Sequence, residues 1–326
     1  MKTNPKIDSN NKKAPLIVIA GPTAVGKSDL AIALAREIDG EIVSCDSMQV
    51  YRGMDIGSAK VSEEEQALAV HHLIDVLDPK EPCDVHRFKE MAKACVLDIQ
   101  SRGKTPILCG GTGFYIQSIV YDIDFTEQSE DTSYRKALEE YGRINGAEKL
   151  HERLKEIDPV SYETIHPNNQ KRVIRALEFY HKSGKPISSH NQEEHQKASP
   201  YDTKFFVLTD DRGLLYDRIN KRVDLMMEEG LLDEVKSLLD YGCQANMTSM
   251  QGIGYKQLIP YLSGEISLEQ AIYDIKIESR HYAKRQLTWF RRERDAIWLD
   301  RQEYPKTEDL LKRILIEIGS NENECK

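Results

Sequence analysis

The stretch Leu16-Ile17-Val18-Ile19-Ala20-Gly21-Pro22-Thr23-Ala24-Val25-Gly26-Lys27-Ser28 decides the fold. An apolar run ends in G-x-x-x-x-G-K-S, and behind it Leu30, Leu34 and Ile38 share one helical face. A buried strand, a glycine-framed loop and a helix start follow in the order a phosphate-cradling P-loop requires. Gly21 and Gly26 let backbone N–H groups turn inward with no Cβ in the way. The helix N-terminus aims its partial positive charge at the same spot. Lys27 adds a point charge, and the Ser28 hydroxyl suits Mg²⁺. The loop from Gly21 to Ser28, with Pro22, Thr23, Ala24 and Val25 inside it, is the expected di- or triphosphate site. It does not say whether the phosphates belong to a nucleotide.

Working outward, 326 residues that are 40% hydrophobic and 30% charged suit a large domain with an insertion, or two domains. No apolar run is long enough to cross a bilayer. Residues 1–14 are polar and lack an apolar segment, which predicts a loose tail rather than a signal peptide. Cys45, Cys83, Cys95, Cys109, Cys243 and Cys325 form no metal knuckle or redox pair, as expected of reduced thiols in a cytoplasmic protein. A net charge of −9 argues against a surface that coats nucleic acid, but a local basic groove is compatible with it.

Glu41-Ile-Val-Ser-Cys45 predicts a second strand, ending in Asp46. An acid there is either a Mg²⁺ ligand or a base poised beside the phosphates. Ser47, Met48, Gln49 and the residues to Gly57 predict a loop at the carboxyl edge of the sheet, where open α/β sheets bind ligands. His71-His72-Leu-Ile-Asp75-Val76 predicts a third strand; adjacent histidines on a strand point to opposite faces and cannot share a metal. Asp84 is an expected N-cap of a helix reaching Gly103. Pro106 to Tyr115 repeats the strand–glycine–helix pattern. Thr112 either caps that helix or faces the P-loop from the top of the sheet.

Residues 122–200 change character. They are polar and helical, with helices expected over 134–141, 147–157 and 169–183, and predict an all-helical insertion. Lys171 and Arg175 share a helical face beside Arg172, and Lys182 and Lys185 follow. Such a cluster is either a solvated face or a track for a nucleic-acid backbone.

The α/β pattern resumes at Lys204-Phe-Phe-Val-Leu208. The next helix sets Arg218 and Arg222 one turn apart, as a phosphate clamp or as ion-pair partners of Asp217 and Asp224. Gln251-Gly252-Ile253-Gly254-Tyr255-Lys256 is a glycine-rich turn opening another helix. The helix from Leu268 carries Arg280, Tyr282, Lys284, Arg285, Trp289, Arg291, Arg292 and Arg294. Cations alternating with aromatics suggest RNA. Ile297-Trp-Leu299 predicts a last strand, and a terminal helix closes the core. The expected fold class is therefore α/β, a P-loop NTPase-like parallel sheet flanked by helices (15–121 and 201–326), with the helical insertion (122–200).

Together, GPTAVGKS, Asp46-Ser-Met-Gln-Val-Tyr51, Gly53-Met-Asp-Ile-Gly57 with Lys60, His71-His72-Leu-Ile-Asp75, Gly110-Gly-Thr112, His166-Pro-Asn with Arg172 and Arg175-Ala-Leu-Glu, Gly252-Ile-Gly-Tyr255, and Ala283-Lys-Arg-Gln286-Leu-Thr-Trp289 closely resemble the bacterial tRNA dimethylallyltransferases. The likeness runs from Leu16 to Leu299 in order. It implies transfer of a dimethylallyl group from dimethylallyl diphosphate to N6 of the adenine just 3′ of the anticodon, with Mg²⁺ required and the base flipped into a channel. It implies Asp46 as general base and Thr112 near the reacting amine; the charge that develops as diphosphate leaves calls for Lys27, the loop amides and Arg222 to neutralise it. The likeness places Asp46–Gln49, Gln170, Lys171, Arg172, Val173 and Ile174, and Gln251–Lys256 against the tRNA anticodon stem–loop. Arg280, Lys284 and Arg285 are added from the basic stretch. One departure is Gly113-Phe114 after the Gly-Gly-Thr, where family members vary. A monomer is expected. The alternatives are a P-loop kinase acting on a small molecule or nucleotide, an RNA binder gated by nucleotide, and a relative that prenylates free adenine nucleotides. The last should lack the insertion.

Overall fold

The computed structural model describes residues 13–124 and 133–319, so the tail expected over 1–14 lies almost wholly outside it. The chain divides into two compact units, Met1–Val120 with Pro200–Lys326, and Tyr121–Ser199.

The first unit is built on six parallel strands: β1 (Pro15–Ala20), β2 (Gly40–Ser44), β3 (His71–His72), β4 (Thr105–Gly110), β5 (Asp202–Thr209) and β6 (Ala296–Asp300). Their order is β3-β2-β4-β1-β5-β6. In its first half α1 (Lys27–Glu37), α2 (Glu63–Leu68), α3 (Val85–Ser101) and α4 (Gly113–Val120) alternate with the strands. Leu16 to Ala20 are all buried, because a central parallel strand is covered on both faces and so reads as one apolar run. Ile17, Ile19, Leu30, Leu34, Ile107 and Phe206 meet in one core with Leu310 and Ile314. Register places Ala20 beside Gly110, and Ser44 beside Cys109. The P-loop, Asp46 and the Gly110–Thr112 turn therefore leave adjacent strands at one edge, at the switch point of strand order where ligands bind.

The third strand is shorter than expected. It ends at His72 because Leu73 and Asp75 adopt φ of 63° and 56°, which bends the chain out of the ladder.

The second unit holds α5 (Ser133–Asn145), α6 (Ala147–Glu152), α7 (Leu154–Ile157), α8 (Pro159–Thr164), α9 (Gln170–Ser183) and α10 (Ile187–Gln196). Leu138, Leu150, Leu154, Val173, Ile174 and Leu177 form its core. Asp158 accepts hydrogen bonds from the N–H and hydroxyl of Ser161 (3.0 and 2.7 Å) and of Ser188 (3.0 and 2.6 Å). One buried carboxylate thus holds the starts of α8 and α10 together. Val173 and Ile174, which the resemblance sets in an RNA-contacting stretch, are 0% and 4% exposed and pack inward.

The first unit is completed by α11 (Arg212–Glu228), α12 (Leu231–Asp240), a 3₁₀ turn (Ser249–Gln251), α13 (Tyr255–Leu262), α14 (Leu268–Phe290) and α15 (Thr307–Gly319). No helix among the described residues is long and apolar enough to cross a membrane.

Candidate active site

After β1 the chain turns through Gly21 (φ 148°), Ala24 (φ 61°) and Gly26 (φ 89°) into α1. Gly26 is the N-cap and supplies no side-chain hydrogen bond, so the first-turn amides of α1 remain uncapped by a side chain. Lys27 Nζ donates to Pro22 O at 2.6 Å. Burial pulls its pKa down to about 8, with the Arg222 charge adding to the shift and Asp46 opposing it. Thr23, Ala24, Gly26, Lys27 and Ser28 line a cavity of about 670 Å³. Val25 does not: its side chain is 1% exposed, in the core.

Asp46 stands at the wall of that cavity. Its Oδ1 accepts the Met48 N–H at 2.8 Å. Burial pushes its pKa upward against the Met48 amide and the Lys27 charge, a change that makes the carboxylate a stronger base. Asp46 also lines a second cavity of about 320 Å³, with Ser47, Met48, Gln251, Gly252, Ile253, Gly254 and Arg285. Thr23, Arg222, Met226 and Tyr282 are likewise common to both cavities. The two spaces therefore meet at a carboxylate and a guanidinium.

Arg218 does not face a phosphate. Its Nε donates to Ala24 O at 3.0 Å and its Nη2 pairs with Asp210, so it braces the loop from behind. The expected partners Asp217 and Asp224 are not its own; Asp224 pairs with Lys276 at 2.5 Å. Of the two arginines, Arg222 lines both cavities.

Thr112 occupies the N-cap position of α4 through its carbonyl, which accepts from Tyr115 N and Ile116 N at 2.9 and 3.2 Å. Its hydroxyl is buried. The Tyr282 phenol faces it; burial and the Asp46 charge push that phenol up to about 12, so it stays a neutral donor.

The loop between the cavities is pinned at two points. Lys60 Nζ pairs with Asp55 and Asp75, each at 2.5 Å, and donates to Tyr51 O at 2.8 Å. Glu234 accepts from the N–H groups of Asp55 and Ile56 at 2.8 Å, of Gly57 at 3.1 Å, and from the Tyr255 hydroxyl at 2.7 Å. Tyr255, expected among the RNA-contacting residues, is fully buried and braces this loop through Glu234. Glu234→Ala strands three backbone donors and a phenol. It is expected to destabilise the fold by about 2–3 kcal/mol, read from urea unfolding; an unchanged midpoint would contradict this.

Gln49 lines the first cavity with its amide engaged: the Ser44 hydroxyl donates to it at 3.1 Å, and it donates to Ala59 O at 3.2 Å. Lys256, Lys284 and Arg285 are exposed, as are Lys171 and Arg172 in the second unit, and Gln170 is half-buried. Arg280 is half-buried, donates to Asn220 Oδ1 at 2.8 Å and lies over the Tyr216 ring. It ties α14 to α11. Sequence reasoning did not assign Tyr282 or Gln286 to the site. The available signal was a glutamine on the buried stripe of α14 with Ala283 and Phe290.

A cation fits here only with help. Among the described residues no three His, Cys, Asp or Glu side chains form a metal cluster. Ser28 and Asp46 line the cavity, so any Mg²⁺ would take most ligands from a bound diphosphate and water, which is its habit.

Fold and site define a P-loop-like α/β enzyme with two adjoining cavities. The IPP transferase family profile matches residues 49–293. A tRNA dimethylallyltransferase from Lachnoclostridium phytofermentans is 52% identical over 301 residues, 92% of this chain and 96% of that protein. Among solved structures, the full-length tRNA isopentenylpyrophosphate transferase of Bacillus halodurans is 42% identical with a TM-score of 0.71, covering 96% of this chain and all of that one. A eukaryotic dimethylallyltransferase acting on tRNA superposes with a TM-score of 0.81 at 32% identity, covering 96% and 80% of the two chains. The chain belongs to the IPP transferase family, and the kinase alternative is set aside.

Proposed function

We propose that this enzyme transfers a dimethylallyl group from dimethylallyl diphosphate to N6 of the adenosine immediately 3′ of a tRNA anticodon, releasing diphosphate. It acts as a monomer in the cytoplasm. The observation that carries this reading is that Asp46 and Arg222 line both cavities. One cavity bears the uncapped α1 amides and Lys27, as a diphosphate needs; the other bears the Gly252–Gly254 turn, where an extruded base fits.

Adenine N6 is a weak nucleophile because its lone pair is delocalised into the ring. The reaction needs a good leaving group and a placed base. Lys27, the loop amides and Arg222 neutralise charge as the C1–O bond breaks. Asp46 takes the N6 proton as the N6–C1 bond forms. The Ser28 hydroxyl would hold Mg²⁺ beside a bound diphosphate, and the ion would supply further charge neutralisation. Flipping the base costs a few kcal/mol, least in a single-stranded loop. Excluding water keeps the allylic centre from hydrolysis.

Incubation with dimethylallyl diphosphate labelled in the allyl group, and separately with ATP labelled at the γ-phosphate, plus unmodified tRNA, tests the reaction. Allyl label in the RNA is expected; label from ATP, or none, would overturn the reading. In the second unit, Lys171→Ala with Arg172→Ala is expected to weaken tRNA binding and to flatten its dependence on log salt by about 0.7–0.9 for each phosphate that is no longer neutralised. An unchanged slope would remove α9 from the RNA interface.

A further inference from the structure

We propose that Gln286 is a positioning residue that sets the spacing between the donor loop and the Gly110–Thr112 turn. The proposal rests on the prenyl-transfer reading above. Gln286 is 5% exposed and sits on the cavity-facing side of α14. Its Oε1 accepts the Thr23 N–H at 2.9 Å, and its Nε2 donates to Gly111 O at 3.0 Å. The two backbone partners fix the amide's orientation: one is only a donor, the other only an acceptor. An amide satisfies both at once; an ionised carboxylate or a thioether does not.

The bridge joins two loops that line the same cavity. Thr23 belongs to the donor loop and lines both cavities. Gly111 precedes Thr112, whose buried hydroxyl lies beside the Tyr282 phenol. Glycine at 111 fits the same requirement, because a Cβ there would come within 2.0 Å of Gln286 Nε2. The third residue of the donor loop and the second of the Gly110–Thr112 turn are therefore held by one side chain from a distant helix. Near-attack geometry is sensitive at this scale: a displacement of about 1 Å costs on the order of 10²-fold in rate.

Three variants test this, with fold checked by near-UV circular dichroism. Gln286→Met keeps the volume and loses both hydrogen bonds. It is expected to lower kcat by about 10–100-fold, with the dissociation constant for the donor and KM for tRNA within about threefold of the parent. Gly111→Ala displaces the amide while leaving Gln286 in place, and is expected to show the same split. Gln286→Glu can accept and donate only when protonated, so its rate relative to the parent is expected to rise as pH falls from about 8 to 6. This last readout holds even if the methionine variant does not fold. Parental kcat in a folded variant, a loss confined to donor or tRNA binding, or a pH-independent ratio for Gln286→Glu would overturn the proposal. Failure of the parent enzyme to prenylate tRNA at all would instead sink the reaction assignment, and this inference with it.

Discussion

Replacing Asp46 with asparagine is expected to slow single-turnover prenyl transfer by about 10²–10⁴-fold, the usual contribution of a placed general base, while tRNA affinity stays near that of the parent. The isosteric change is chosen because Asp46 Oδ1 also accepts the Met48 N–H at 2.8 Å. An asparagine oxygen can keep that bond, so the loop should hold its shape while the proton acceptor disappears. The raised pKa of Asp46 comes first from burial. Activity should therefore fall with acid at a pH above the ordinary carboxylate range, as the group protonates. Rapid quench with labelled donor measures the step. A parental rate in Asp46→Asn would show that another group, or water, takes the proton.

The second large effect is expected at Lys27. Lys27→Met should weaken donor binding by roughly a hundredfold, about 3 kcal/mol, as removal of one partner from a partly desolvated charge pair does. Its titration gives a sharper signature. In the free enzyme burial pulls Lys27 down to about 8. A bound diphosphate stabilises the ammonium and raises that value toward the ordinary 10.5. Between those values the free enzyme has lost a proton that the complex keeps. Binding there takes up a proton, and affinity falls as pH rises through about 8. Calorimetry in buffers of different ionisation heat, near pH 8.5, should register that uptake in the parent and lose it in Lys27→Met. No uptake in the parent would place the donor away from the lysine.

What could be read from the sequence was what local chemistry dictates. The Leu16–Ser28 pattern gives strand, loop and helix because glycine spacing and apolar periodicity act over a few residues. The placement of Asp46 beside that loop follows from a strand ending in an acid at the same sheet edge. Other features needed the third dimension. Two bends after His72 shorten β3, and nothing in the apolar pattern of residues 71–76 announces a positive φ at Leu73. Helix α10 has a polar sequence, and part of what holds it is Asp158, thirty positions before Ser188. Lys171 and Val173 are near neighbours in a segment assigned as a whole to RNA, yet one is exposed and the other in the core, because a helix turns. Tyr255 belongs to a glycine-rich turn suited to RNA, but its hydroxyl is held by Glu234. Gln286 reaches a loop 263 positions earlier, which local pattern does not encode.

The most direct measurement is a crystal structure of this enzyme with an anticodon stem–loop and a non-reactive thio analogue of dimethylallyl diphosphate. The diphosphate is expected against Gly26, Lys27 and Ser28, and the extruded adenine with N6 within hydrogen-bonding reach, about 3 Å, of the Asp46 carboxylate. An analogue seated away from the loop, or an adenine amine whose nearest base is not Asp46, would contradict this.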